Sequence, residues 1–236
     1  MYGFIDRHSN IKSPVHSLDP RVKIIFFTLL AVFIVTTGDG DLTAFLLYFI
    51  LLLSAAVLSR VPLLYILKRS LTVIPFVLLV SVFTLINGRL EFLSNLLIRA
   101  WLAILALILL SSTTKFPYML KGFLLLKAPK ILILLLSFMY RYIFVLLEEA
   151  ERAETAHRSR YFGGRFFGQF RVLGHIIGLL FIRTYERGER IYQSMLARGF
   201  DGSVRVVSEL KLKRADYVFS TLYLSVMTAV KLKDIL

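Results

Sequence analysis

Long, almost uncharged runs of apolar residues recur through the first half of the chain and return near its end. Of the 236 residues, 57% are apolar and 19% are charged, and the mean hydropathy is +0.73. A helix needs about 20 apolar residues to cross the hydrocarbon core of a bilayer. The runs predict membrane-spanning helices over residues 22–37, 42–58, 71–86, 96–112 and 217–230. The predicted fold class is therefore an all-α integral membrane protein with about five transmembrane helices.

Two further apolar runs fit a membrane crossing less well. Residues 131–147 are interrupted by Arg141, and an arginine at the bilayer centre costs about 2.5–3.5 kcal/mol. We therefore expect a helix that lies along the membrane surface or packs between protein elements, with a full crossing as the alternative. Residues 172–182 are too few to cross, although Gly174 and Gly178 in this run would allow close helix contacts.

Positive charge is concentrated in the second half of the chain. The protein has 29 lysines and arginines against 15 acidic residues, and residues 115–214 hold 18 of the former and 8 of the latter. Basic segments of membrane proteins face the cytoplasm, so the pattern indicates a cytoplasmic segment and no nucleic-acid partner. The basic residues before the first run likewise predict a cytoplasmic amino terminus. We predict an N-terminal segment with four transmembrane helices (1–114), a basic cytoplasmic domain of amphipathic helices (115–214) and a C-terminal transmembrane helix (215–236).

Residues that could carry catalysis or hold a metal do not converge anywhere in the sequence. The chain has no cysteine, so thiolate ligands and cysteine nucleophiles are excluded. The four histidines form no metalloprotease pair, and the sequence contains no nucleotide-binding loop or serine triad. We accordingly predict no catalytic residue, no metal site and no cofactor bound directly by this chain.

Two amphipathic stretches of the basic segment end in the same kind of residue. Apolar residues recur at helical spacing over 139–157 and again over 183–197. An arginine follows each stretch, with Ser159, Arg160 and Tyr161 at the first end and Ala197, Arg198 and Gly199 at the second. A small residue before an arginine lets the guanidinium enter a groove and form paired hydrogen bonds with a carboxylate.

Simpler explanations compete with docking. A basic residue near the carboxyl end of a helix complements the helix dipole and contributes about 0.3–1 kcal/mol, so helix capping is the alternative role for both arginines. The basic segment would also attract anionic lipid headgroups, at about 1 kcal/mol per residue near the surface. We further expect Ala150, Ala153 and Ala156 in the first stretch and Gly188 in the second to allow a close crossing of the two helices.

The order of these features resembles one family of transport proteins. The resemblance rests on residues 16–23, which contain Asp19-Pro20-Arg21, and on residues 194–200, which contain Ala197-Arg198-Gly199. Together with the four-span start and the long basic segment, these runs resemble the transmembrane T components of energy-coupling-factor (ECF) transporters, the CbiQ/EcfT family. The resemblance covers nearly the whole chain.

The resemblance implies where a partner would bind. In that family, two helices of a cytoplasmic coupling domain each end in an arginine-centred signature, usually Ala-Arg-Gly, which docks in a groove of an ATP-binding-cassette (ABC) ATPase. Carried over here, Ala197-Arg198-Gly199 matches the signature in full, whereas Ser159-Arg160-Tyr161 keeps only the arginine. Because Arg158 lies two residues before Arg160, either of these two arginines could be the docking residue at the first helix end.

The resemblance also implies that several subunits share the work of transport. Two ABC ATPase subunits, identical or different, would bind ATP and Mg, and a separate integral membrane subunit (the S or M component) would bind the substrate. This chain would be a non-catalytic coupling subunit of a micronutrient importer in the cytoplasmic membrane, embedded in the lipid bilayer. Residues 4–8 resemble the cobalt and nickel branch, which implies cobalt or nickel ions as the substrate.

Two other classes of membrane protein compete with this interpretation. A stand-alone carrier or channel, whose basic segment binds anionic lipid, would need polar groups along its helices. The candidates Ser54, Ser81, Thr84 and Arg99 are few and scattered. A membrane-embedded enzyme would need converging acids, histidines or metal ligands, and the sequence brings none together.

Overall fold

The computed structural model describes residues 13–38, 42–72, 74–75, 77–79, 90–159, 166–202 and 212–235, and within these residues the chain is helical, without a β-strand. The helices are α1 (Pro20–Thr36), α2 (Leu42–Ser59), α3 (Leu63–Leu71), α4 (Leu90–Thr113), α5 (Phe116–Leu125), α6 (Lys130–Arg158), α7 (Phe166–Ala197) and α8 (Arg214–Ile235). Most of the predicted third span (71–86) lies outside the described residues. The predicted all-α fold class is confirmed.

Most of the predicted membrane-spanning runs form helices close to their predicted bounds. The runs 22–37, 42–58 and 96–112 fall in α1, α2 and α4 almost entirely. Helix α8 extends the run 217–230 to 22 residues, or roughly 33 Å at 1.5 Å per residue. Among the described residues, Ser94–Thr113 in α4 and Lys130–Arg158 are long and apolar enough to cross a membrane, judged by length and composition.

In three segments between the predicted spans, the helices are more extensive than the sequence indicated. Leu63–Leu71, which carries Lys68 and Arg69 in its last turn, is helical. The run 131–147 and the amphipathic stretch after it form one continuous helix, because neither proline nor glycine interrupts α6. The run 172–182 and the second amphipathic stretch likewise form one helix, α7, of 32 residues.

Close approach between helices occurs at a different glycine from those we expected. An added Cβ at Gly174, Gly178 or Gly188 would meet no described atom within 4 Å, so the close crossing predicted at Gly188 is not found. At Gly122 in α5, an added Cβ would lie 2.7 Å from Ile24 Cδ1 and 3.3 Å from Pro20 Cβ. Gly122 therefore allows α5 to pack directly against the first turn of α1.

Residues 1–126 and 207–236 form one compact unit. In this unit α1 packs against α4, α5 and α8, and α4 also packs against α2 and α3. Edge-to-face rings connect α1 with α8, since the Phe26 ring lies 5.3 Å from Phe219 and 5.2 Å from Tyr223. The Tyr223 hydroxyl also forms a 3.0 Å hydrogen bond with Ser54 of α2. Helix α8 is thus held against two other helices.

A buried polar junction connects three helix ends of this unit. Lys23, Asp19 and Asp216 are 2%, 5% and 2% exposed. Asp19 caps α1 by accepting a 2.9 Å hydrogen bond from the Arg21 N–H, and the Asp19 N–H donates to an Asp216 carboxylate oxygen at 2.8 Å. The Lys23 ammonium donates to the Thr113 carbonyl at the end of α4, at 3.0 Å. Buried charges require such partners, so the junction fixes α1, α4 and α8 relative to one another.

Residues 127–206 form a second compact unit, which consists of α6 and α7. The Arg183 guanidinium of α7 donates a 2.5 Å hydrogen bond to the Glu149 carboxylate of α6. Within α6, Arg152 pairs with Glu148 four residues earlier. The predicted division of the chain into parts 1–114, 115–214 and 215–236 concerns position relative to the membrane and stays a prediction.

Replacing Lys23 with methionine should destabilise the first unit strongly. Removing one member of a buried charge cluster leaves the other charges uncompensated and costs about 3–5 kcal/mol. We expect a clearly lower Tm for Lys23→Met in detergent, measured by scanning fluorimetry. Lys68→Met, at an exposed position of α3, is the matched control and should change stability by less than about 0.5 kcal/mol. A wild-type Tm for Lys23→Met would contradict the role of the junction.

Candidate docking site

The second predicted signature forms the carboxyl end of α7. Ala197 is the last helical residue, and Gly199 has a positive φ of 77°. The N–H groups of Gly199 and of the residue after it donate to the carbonyls of Leu196 and Met195, at 2.9 and 3.0 Å. These two bonds define a Schellman motif, in which glycine is favoured because a Cβ is strained at positive φ. Arg198 therefore occupies the C-cap position, between the last helical residue and the required glycine.

The Arg198 side chain is exposed and takes no part in the motif that ends the helix. Its guanidinium has no hydrogen-bond or ion-pair partner among the residues that the structure describes. Backbone N–H groups bond the last carbonyls of α7, so Arg198 does not cap them through its side chain. Its charge still complements the helix dipole, while all five guanidinium N–H groups are available to a carboxylate.

The first predicted signature lies at the end of α6, and the structure describes only its first residue. Ser159 is the C-cap of α6, and its N–H bonds a carbonyl one turn earlier at 3.0 Å. Arg160 and Tyr161 lie outside the described residues. The competing Arg158 donates two hydrogen bonds, at 3.0 and 2.6 Å, to one carboxylate oxygen of Glu154. Arg158 is thus engaged within its own helix, in contrast to Arg198.

The arrangement suits recognition of a protein surface. In the described ranges, no group of three or more histidine, aspartate or glutamate side chains is placed to hold a metal ion. The end of α7 instead presents a positioned guanidinium, whose planar geometry matches a carboxylate and allows two parallel hydrogen bonds. The charge and shape of this group are complementary to carboxylates.

Comparison with known proteins identifies the family. The sequence pattern of CbiQ, described as a cobalt transport protein, matches residues 11–208. The chain belongs to the CbiQ/EcfT family. Members of this family are transmembrane components of ECF transporters, so this family member is a membrane component of such a transporter. The matched range includes the ends of both α6 and α7, and the resemblance found in the sequence is confirmed.

Similar proteins come from bacteria and archaea. An energy-coupling factor transporter transmembrane protein EcfT of Brevibacillus brevis is 30% identical over 221 residues, which cover 82% of this chain and 83% of that protein. An uncharacterized protein of Methanocaldococcus jannaschii is 33% identical over 93 residues, 39% of this chain and 35% of that protein. A putative fused cobalt transport protein CbiMQ of Methanocorpusculum labreanum is 27% identical over 224 residues, 84% of this chain and 37% of that protein. The matched part of the chain thus covers about a third of the length of each of the latter two relatives.

Sequence reasoning found the arginine of α7 together with Ala197 and Gly199, but it missed Asp216 in the first unit. Asp216 bonds Asp19 across 197 positions of the chain, and no local pattern predicts that pairing. The role of Gly199 had a signal, since a glycine directly after the last helical residue is the usual C′ residue of a Schellman motif.

Replacing Gly199 with alanine should loosen the end of α7. A Cβ in the left-handed region costs about 1–2 kcal/mol, so amide exchange at residues 199 and 200 should become faster by about tenfold. Hydrogen exchange of the detergent-solubilised chain, read by mass spectrometry, measures this change. Gly202→Ala is the matched control, because Gly202 also has a positive φ, 80°, but lies beyond the motif. Unchanged exchange in Gly199→Ala would contradict the assigned role of the glycine.

Proposed function

We propose that this chain couples ATP hydrolysis by two cytoplasmic ABC ATPase subunits, identical or different, to a separate substrate-binding membrane subunit. Arg198 at the end of α7 and Arg160 beyond the end of α6 each dock in a carboxylate-lined groove of an ATPase. The ATPases hold ATP and Mg, and α6 and α7 transmit their movement to the membrane. The chain itself carries out no catalysis.

The observation that carries this proposal is the geometry of the α7 end. The Ala197-Arg198-Gly199 signature coincides with the last helical residue, the C-cap and the left-handed residue of one Schellman motif. The motif sets the direction of the arginine through backbone bonds alone, and its exposed guanidinium is left for a partner. Membership of a family of transporter components supports an ATPase as that partner.

We assign the first docking position to Arg160 in preference to Arg158. The two hydrogen bonds from Arg158 to Glu154 form an exposed pair four residues apart on α6, an arrangement that stabilises a helix by about 0.3–0.5 kcal/mol. Arg158 therefore has a role within the helix. Ser159 gives Arg160 the small preceding neighbour that Ala197 gives Arg198.

We place the amino terminus and residues 115–214 on the cytoplasmic side of the cytoplasmic membrane. The excess of basic residues in both segments supports this orientation, which also puts both docking ends on the side where ATP is available. The transported substrate is a micronutrient, and cobalt or nickel ions are the proposed cargo. The description of the matching family and the name of the CbiMQ relative support cobalt.

Charge reversal at Arg198 should abolish ATPase docking. The experiment purifies the tagged full-length chain from its native membrane in mild detergent and identifies the proteins that accompany it. We expect an ABC ATPase with the wild type, much less of it with Arg198→Glu, and none with the Arg160→Glu, Arg198→Glu double variant. The reason is that each reversal places a carboxylate against the carboxylates of the groove.

Two variants serve as controls for this experiment. Arg152→Glu makes the same charge change at an exposed position of α6 away from both helix ends and should retain the ATPase. Arg158→Glu tests the neighbouring position and should also retain it. If the wild type recovers no ATPase under conditions that preserve known ECF complexes, the docking role of both arginines is refuted and a stand-alone carrier becomes the better hypothesis.

Cobalt uptake tests the proposed cargo. Cells that express the chain together with the proposed ATPase subunits and the substrate-binding membrane subunit should accumulate radioactive cobalt. Excess nickel should compete with this uptake. Arg198→Glu should abolish uptake while membrane insertion, judged by the amount of chain in the membrane fraction, stays at the wild-type level. Energised uptake of an organic micronutrient, without any uptake of cobalt or nickel, would contradict the assigned substrate but leave the coupling role intact.

A further inference from the structure

An apolar groove and a basic recess lie side by side between α6 and α7. The groove has a volume of about 310 Å³. It is lined mainly by Phe138, Tyr142 and Leu146 of α6 and by Gly188, Ile191 and Met195 of α7. The recess, lined by three arginines and Glu149, has a similar volume. Because Leu146, Thr184 and Arg187 line both cavities, the groove opens directly onto the positive charges.

The recess carries an excess of positive charge. Glu149 is the only carboxylate among its described lining residues, and it already accepts the hydrogen bond from Arg183. Arg187 and Arg190 are exposed, and neither has an ion-pair partner among the described residues. Two arginines with free guanidinium groups form a site for a phosphate, which accepts paired hydrogen bonds from each of them.

The apolar groove is open and lies on a helix that exposes apolar side chains to its surroundings. An added Cβ at Gly188 would meet no described atom within 4 Å. Almost all of the apolar part of the helix Lys130–Arg158 is exposed. Leu135, Met139 and Leu147 of this helix are each more than half exposed. Apolar helix faces of this kind, followed by a charged segment, bind at the interface of a membrane.

We propose that α6 and α7 together bind one anionic glycerophospholipid, with an acyl chain in the groove and the phosphate on Arg187 and Arg190. An amphiphile with a negative headgroup matches both cavities at once, since it places apolar surface against apolar side chains and phosphate against guanidinium groups. The site differs from the docking ends of α6 and α7. It extends the function of the chain beyond coupling, because the lipid completes the surface between the two helices.

Native mass spectrometry of the delipidated full-length chain tests the proposal. The chain is titrated in neutral detergent with phosphatidylglycerol and with phosphatidylcholine that carries the same acyl chains. We expect the first phosphatidylglycerol to bind about tenfold more tightly, because only its headgroup carries a net negative charge. Millimolar glycerol 3-phosphate should not displace it, because the headgroup alone does not fill the groove.

Variants separate the contributions of the recess and the groove. Arg187→Gln with Arg190→Gln should weaken phosphatidylglycerol binding by about ten- to thirtyfold and phosphatidylcholine binding by much less, so that the preference for phosphatidylglycerol is lost. Gly188→Leu should weaken the binding of both lipids by filling the groove. Arg152→Gln and Gly178→Leu are the matched controls, since both lie outside the two cavities and an added Cβ at Gly178 also meets open space.

Three results would overturn the proposal. Equal affinity of the wild type for the two lipids would show that the arginines do not recognise the headgroup. Displacement by glycerol 3-phosphate would show that the recess binds an anion without an acyl chain in the groove. Wild-type lipid binding by Gly188→Leu, with loss of a co-purifying protein instead, would assign the groove to a protein segment. The titration uses the isolated chain, so its outcome does not depend on ATPase docking, and Arg198→Glu should bind lipid like the wild type.

Discussion

The charge of Lys23 in the protein interior is the constraint on which the packing of the first unit depends. Three helix ends meet around this side chain, and the charge at each end has the sign that the helix dipole favours there. Asp19 and Asp216 lie at the amino ends of α1 and α8, where a helix dipole favours negative charge, and the ammonium bonds a carbonyl at the carboxyl end of α4. The apolar contacts of Phe26 with Phe219 and Tyr223 then continue along α1 and α8. The polar junction therefore defines which helices are neighbours, and the aromatic rings stabilise the arrangement.

Among the described residues of the second unit, no buried polar junction of this kind is found. Helices α6 and α7 share the Glu149–Arg183 pair, and exposed ion pairs contribute about 0.2–1 kcal/mol each. Such interactions cannot compensate for the apolar surface that α6 exposes. The lipid and the ATPases that we propose as partners would each cover a surface that the described parts of the two helices leave open.

The sequence predicted the features that depend on local patterns. Hydropathy located α1, α2, α4 and α8, because a helix that crosses a bilayer requires an apolar run of fixed length. Arg141 argued against a membrane crossing by 131–147 and not against a helix there, but the sequence did not show that the runs 131–147 and 172–182 each continue into the following amphipathic stretch. The position of Arg198 at a helix end was predictable because Ala197 and Gly199 mark that end, and its docking role stays a prediction. Asp216 and Gly122 were not predictable, because their roles depend on residues far away in the chain.

At the end of α7, the residue that terminates the helix, Gly199, is not the residue that we propose to bind a partner, Arg198. Gly199 and backbone bonds terminate the helix, so position 198 contributes nothing to that termination through its side chain. A chain of this design can change the side chain at 198 with little effect on its own stability, and recognition of a new partner can evolve there by single substitutions. Position 199 has no such freedom, because almost every replacement is strained at its φ angle. In the docking role that we propose, the affinity for a partner subunit can thus change through one exposed residue, while the helix end that presents it stays the same.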